Sequence, residues 1–144
     1  MEKTNKRNEK GFSLVELLAV IVILGIIASI GLVSINQVIA SSKDKTFVNN
    51  ALAIIHAAEL ALKDEELVKN FILDDKITYK VLHDFNYLNE FHDPYTGRIL
   101  SASNATYVEV TDGKISSVCL NGENRNLCSE IDKISVNLIK LNIK

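Results

Sequence analysis

From Leu17 to Ser42 the chain runs without one charged side chain, and from Phe12 onward that stretch is interrupted only by Glu16. A hydrocarbon core about 30 Å thick is crossed by roughly 20 apolar residues in a helix. Leu17 to Ile35 supplies 19, mostly Leu, Ile, Val, Ala and Gly, with Ser29 and Ser34 as the hydroxyls. A helix buried in a soluble core is the weaker reading, because five turns of such a helix normally keep a polar stripe. The segment is also too long for the 7–15-residue apolar centre of a discarded secretory signal. A small-x-small site at Val38–Ala40, followed by Ser41, comes late in the run, and no cysteine follows it as a lipoprotein signal would require. A retained anchor is expected.

Charge sets its direction. Met1 to Gly11 carries Lys3, Lys6, Arg7 and Lys10 against Glu2 and Glu9, a net of +2, whereas the rest of the chain is net −4. A basic segment ahead of a span stays on the cytoplasmic side, so the following residues are exported. No block of Lys and Arg interleaved with aromatics points to nucleic acid.

Glu16 is expensive in this setting, since an acidic residue at the centre of a span costs about 2.5–3.5 kcal/mol on insertion scales and less near an interface. Tolerance at the cytoplasmic edge is one explanation. The other lies in Lys10-Gly11-Phe12-Ser13-Leu14-Val15-Glu16, where small Gly11 marks the junction of polar leader and apolar helix. A cut after Gly11 creates an ammonium on Phe12, one helical turn before Glu16. Such a terminus has a reference pKa of about 7.7–8.0 and is mostly charged at neutral pH. Ammonium and carboxylate can then neutralise each other where helices pack away from water.

The segment Gly11-Phe12-Ser13-Leu14-Val15-Glu16-Leu17-Leu18, with Ala19 to Leu24 behind it, closely resembles the class III leader of type IV prepilins and pseudopilins. The resemblance covers about residues 8 to 40. It implies cleavage between Gly11 and Phe12 by a prepilin peptidase, methylation of the Phe12 amine, and pairing of Glu16 with Phe12 of a neighbouring subunit during assembly. It also implies a single-pass precursor in the cytoplasmic membrane, then a cell-surface pilus built with the assembly machinery from copies of itself and other pilins. Many family members carry a proline near the middle of this helix; here there is none, and Gly25 and Gly31 are the weak points, each costing about 1 kcal/mol relative to Ala.

Beyond the anchor, Phe47, Ala51, Ile54, Ala58, Ala61 and Leu62 recur every third or fourth residue as one apolar stripe. One long helix is expected from Ser13 to Lys69, its second half packed on a sheet, with His56 beside the stripe as a packing or surface residue. Lys76 to His83 reads equally as short helix or strand. Asp93-Pro94 with Gly97 is a turn, because proline fixes φ and glycine permits left-handed geometry. The stretch from Tyr87 to Gly97 also resembles the loop that comes after the long helix in pseudopilins and Gram-positive pilins. Major pseudopilins can bind calcium near it, but only Asp93 recurs here, and no metal is expected. Tyr107–Thr111, Asp112-Gly113 and Lys114–Leu120 form a hairpin signal, with Asp-Gly suited to a type I′ turn. Asn121 to Asn126 is a polar turn. The tail from Lys133 fits strand or helix, and strand is favoured. The fold class is α+β: a long helix on an antiparallel sheet of three or four strands. The organisation is a leader at 1–11, an anchor at 12–42 and an exported head at 43–144.

Cys119 and Cys128 would meet an oxidising compartment in that head and can pair across the polar turn, a bridge worth about 2–3 kcal/mol for so short a loop; free thiols are the alternative. The cysteines lack further ligands at metal-site spacing, and the sequence has no G-x-S-x-G, P-loop or G-x-G-x-x-G. No enzyme and no cofactor are expected. The first functional reading is a type IV pilus subunit serving adhesion, motility or DNA uptake. The second is a pseudopilin or minor pilin of a secretion or competence system. A single-pass anchored binding domain that never polymerises is the rival from another class.

Overall fold

The computed structural model describes residues 13–64 and 74–141, leaving aside the side chains of 32–34. Helix α1 spans Leu14–Ala61. The chain divides into two units, Met1–Ile39 and Ala40–Lys144. In the first, apolar side chains point outward on every side of the helix, from Leu14 at 79% exposed to Ile30 at 66%. Among the described residues α1 is the one helix long and apolar enough to cross a membrane. It passes through Gly25 and Gly31 without a break.

Within the second unit the helix becomes one-sided. Phe47, Ala51, Ile54, Ala58 and Ala61 are fully buried, while Leu60 is exposed. The helix ends eight residues before Lys69, the limit expected from the sequence. Lys63 N–H reaches the Leu60 carbonyl at 3.1 Å and Asp64 N–H the Ala61 carbonyl at 3.0 Å, so the last turn tightens to three-residue spacing. No basic residue stands in that turn to favour the negative helix end. The remainder of the expected helix, 65–69, lies outside the described residues.

The stripe packs on a five-stranded antiparallel sheet. Its strands are β1 Lys76–Thr78, β4 Tyr107–Thr111, β5 Lys114–Asn121, β6 Arg125–Glu130 and β7 Lys140–Leu141, adjacent in that order. A separate hairpin pairs β2 Phe91–His92 with β3 Ile99–Leu100. Three or four strands was therefore too few, because the extra strands are only two or three residues long and carry almost no alternation to read. Ile77, Val108, Val118, Leu120 and Leu127 face the helix and close the core. Four of the seven buried helix positions are alanines, Ala51, Ala57, Ala58 and Ala61. The larger side chains, each worth about 1.5–3 kcal/mol when buried, therefore come mainly from the strands.

Lys76 to His83 is both elements in succession. β1 ends at Thr78, whose hydroxyl accepts the Val81 N–H at 3.3 Å and starts helix α2, Tyr79–Asp84. The favoured tail strand survives only as β7. Ile131–Lys133 and Val136–Leu138 are single 3-10 turns, so the alternation of Ile134, Val136 and Leu138 reflects packing of turns rather than a strand. The β4–β5 turn has Asp112 at φ 53° and Gly113 at φ 73°, as a type I′ turn requires.

Candidate functional site

Ser13 precedes the first helical residue and takes the N-cap position, which makes Glu16 the third residue of the helix. The Glu16 carboxylate turns back and accepts the Ser13 N–H at 2.9 Å. One of the donors left open at a helix start is thereby satisfied, in the manner of a capping box. The negative charge also sits at the positive end of the helix dipole. Ser-x-x-Glu was visible in the sequence, so this second use of Glu16 had a signal that the emphasis on Phe12 obscured. Gly11 and Phe12 lie outside the described residues. Glu16 and the apolar side chains behind it from Leu17 to Ile30 are exposed, so the first unit offers one carboxylate followed by an uncovered apolar surface.

In the head, the loop between β2 and β3 is organised by Asp93, which is 1% exposed. Its Oδ1 accepts the Tyr95 N–H at 2.8 Å and the Thr96 N–H at 3.4 Å, and its Oδ2 accepts the Glu123 N–H at 3.0 Å. Both carboxylate oxygens thus serve backbone donors, one set within the loop and one in the β5–β6 turn. Gly97, at φ 73°, closes the loop by donating its N–H to the Asp93 carbonyl at 2.8 Å. Among the described residues no group of three or more His, Cys, Asp or Glu stands together. His56 is exposed and contacts Glu59 at 3.4 Å.

Cys119 and Cys128 oppose each other directly across β5 and β6 and are joined as a disulfide. They face away from the core, since their strand neighbours Val118, Leu120 and Leu127 are the buried ones. Sequence reasoning paired the cysteines without seeing which face they occupy, because that depends on sheet register.

No match was found among curated proteins or solved structures. A family model for the prokaryotic N-terminal methylation motif matches residues 6–32, a span containing Gly11, Phe12, Glu16, Gly25 and Gly31. The chain therefore carries the class III leader of type IV pilins and pseudopilins, joined to a long helix on a small antiparallel sheet.

Proposed function

We propose that the chain is a structural subunit, not an enzyme, that polymerises through helix α1 into a type IV pilus on the cell surface. The observation that carries this reading is the motif at 6–32 running into a helix whose first unit is apolar and exposed on every side. Such a surface is stable in lipid, and equally against other helices of its own kind once the subunit leaves the membrane. Prepilin peptidase would cut between Gly11 and Phe12 and methylate Phe12, after which the new ammonium pairs with Glu16 of a neighbouring copy. The membrane holds the precursor, and the pilus assembly machinery would add it to the filament. Adhesion, motility and DNA uptake are the roles open to such a filament.

Mass spectrometry on sheared surface material, beside electron microscopy of the same preparation, tests the reading. Filaments built of chains that begin at a singly methylated Phe12 are expected. A chain found only in the membrane fraction, with residues 1–11 still present, would favour the anchored binding domain instead.

A further inference from the structure

We propose that the Cys119–Cys128 disulfide is a thiol-exchange site, attacked at Cys128 Sγ. The proposal is independent of filament assembly and stands on the register of the head sheet.

Three features of that sheet support it. The bridge lies on the face opposite the core, with Cys128 exposed and Cys119 half-buried. An incoming sulfur must approach in line with the bond it breaks, from beyond the sulfur it attacks. Because the bridge joins β5 to β6, the approach to Cys119 comes over β4. There Tyr107 is the residue paired with Cys119, and Lys76 Nζ stands 4.4 Å from its ring centroid. The approach to Cys128 comes over the outer side of β6. β7 pairs there only with Arg125 and Asn126, and the 3-10 turn Val136–Leu138 lies beside β6 without laddering to it, which leaves Cys128 exposed. One sulfur is half-buried beside an aromatic side chain and the other is exposed.

Exchange balances without any further reagent than a thiol. A thiolate forms a bond to Cys128 Sγ, the Cys119–Cys128 bond breaks, and its electron pair leaves on Cys119 Sγ, which takes up a proton from water. A second thiolate attacking the mixed disulfide releases Cys128, leaving the head as a dithiol and the two incoming thiols oxidised to a disulfide. The opened head keeps its strands together. β5 and β6 remain paired from Ser117↔Glu130 to Asn121↔Asn126, with Leu120 and Leu127 in the core beneath.

The test uses the full chain in detergent micelles, with mercaptoethanol as the thiol, acid quenching at short times and peptide mapping. A native exchange rate within about tenfold of the rate in urea is expected, with the adduct predominantly on Cys128. Tyr107→Ala should raise the share of adduct on Cys119. A native rate slower than in urea by more than that margin would mean the bridge opens only on unfolding, and would overturn the proposal. A first adduct mainly on Cys119, or a distribution unmoved by Tyr107→Ala, would overturn the directional argument.

Discussion

Tyr95 donates its phenol hydroxyl to Asp44 Oδ1 at 2.5 Å and so ties the β2–β3 loop to helix α1, 51 positions earlier in the chain. The ring adds to the tie, lying 5.5 Å from Phe47 between centroids and 4.9 Å from the Arg125 guanidinium carbon. Asn50 Nδ2 reinforces it by donating to the His92 carbonyl at 3.3 Å. A short loop with little regular structure is thus held by side chains on the helix and by the backbone of the β5–β6 turn.

That tie makes the head sensitive to alkali. Burial first, and then the hydrogen bond to Asp44, push the Tyr95 pKa up from its ordinary value of 10.0. Tyr79, through burial, and Tyr87, through its bond to Asp64, shift the same way. A folded-state pKa above the unfolded one gives stability that is complete below about pH 10 and lost as pH rises beyond it. Tyr95→Phe should cost about 0.5–1.5 kcal/mol at neutral pH by removing one hydrogen bond, and should flatten the fall above pH 10. Urea unfolding of the full chain in detergent across pH 7 to 11 measures both. An alkaline slope identical to the parent's would mean Tyr95 contributes nothing to it.

Asp93→Asn tests whether the buried carboxylate is a latch. The amide oxygen can still accept from Tyr95 and Thr96, but the amide nitrogen then meets the Glu123 N–H, donor against donor. A loss of about 1–3 kcal/mol is expected from the unsatisfied pair, together with faster hydrogen exchange at the Glu123 amide. Unchanged protection there would show that the turn does not depend on Asp93.

The two glycines flanking this latch should respond differently. A Cβ on Gly122 would stand 2.7 Å from Asp93 Oδ2, 2.8 Å from the Arg125 carbonyl oxygen and 2.9 Å from Phe47 Cε2. Gly122→Ala must therefore displace the latch and the core together, at about 1–3 kcal/mol. Gly97 has open space around it but φ 73°, so Gly97→Ala carries only the left-handed backbone cost of about 1–2 kcal/mol. Gly97→Asn should recover part of that loss, since Asn tolerates this region, whereas Gly122→Asn should recover none. Thermal melting distinguishes the two, and equal recovery at both sites would contradict the packing argument.

Glu16 has two separable duties, accepting the Ser13 N–H and carrying a charge. Glu16→Gln retains an acceptor for the cap and loses the charge, while Glu16→Ala loses both. Neither change disfavours insertion, because each removes a charge from the span. In the proposed filament, the Phe12 ammonium left unpaired among apolar helices costs several kcal/mol. Both variants should therefore accumulate as mature subunits in the membrane with filaments rare or absent. An immunoblot of membranes beside electron microscopy of sheared material gives the answer. Normal filaments with Glu16→Gln but not with Glu16→Ala would assign the residue to helix capping instead.

The sequence alone determined the features that depend on neighbours along the chain. An apolar run reads as a helix long enough to cross a membrane, the stripe from Phe47 to Ala61 as one helix face by its period, and Asp112-Gly113 as a hairpin by the backbone angles it permits. Each is settled within a few residues, so α+β architecture was legible without coordinates. Tertiary structure decided the rest. Lys76 to Asp84 becomes strand and then helix because β1 finds β4 while Thr78 caps α2. The tail folds into 3-10 turns with only two residues left for β7. Asp93, which reads as an ordinary turn residue, is buried because the β5–β6 turn, some 30 positions away, supplies a donor that its carboxylate satisfies. The disulfide faces solvent because β5 and β6 pair in one register, and a slip of β6 by a single residue would have turned Cys128 to the core face and parted it from Cys119.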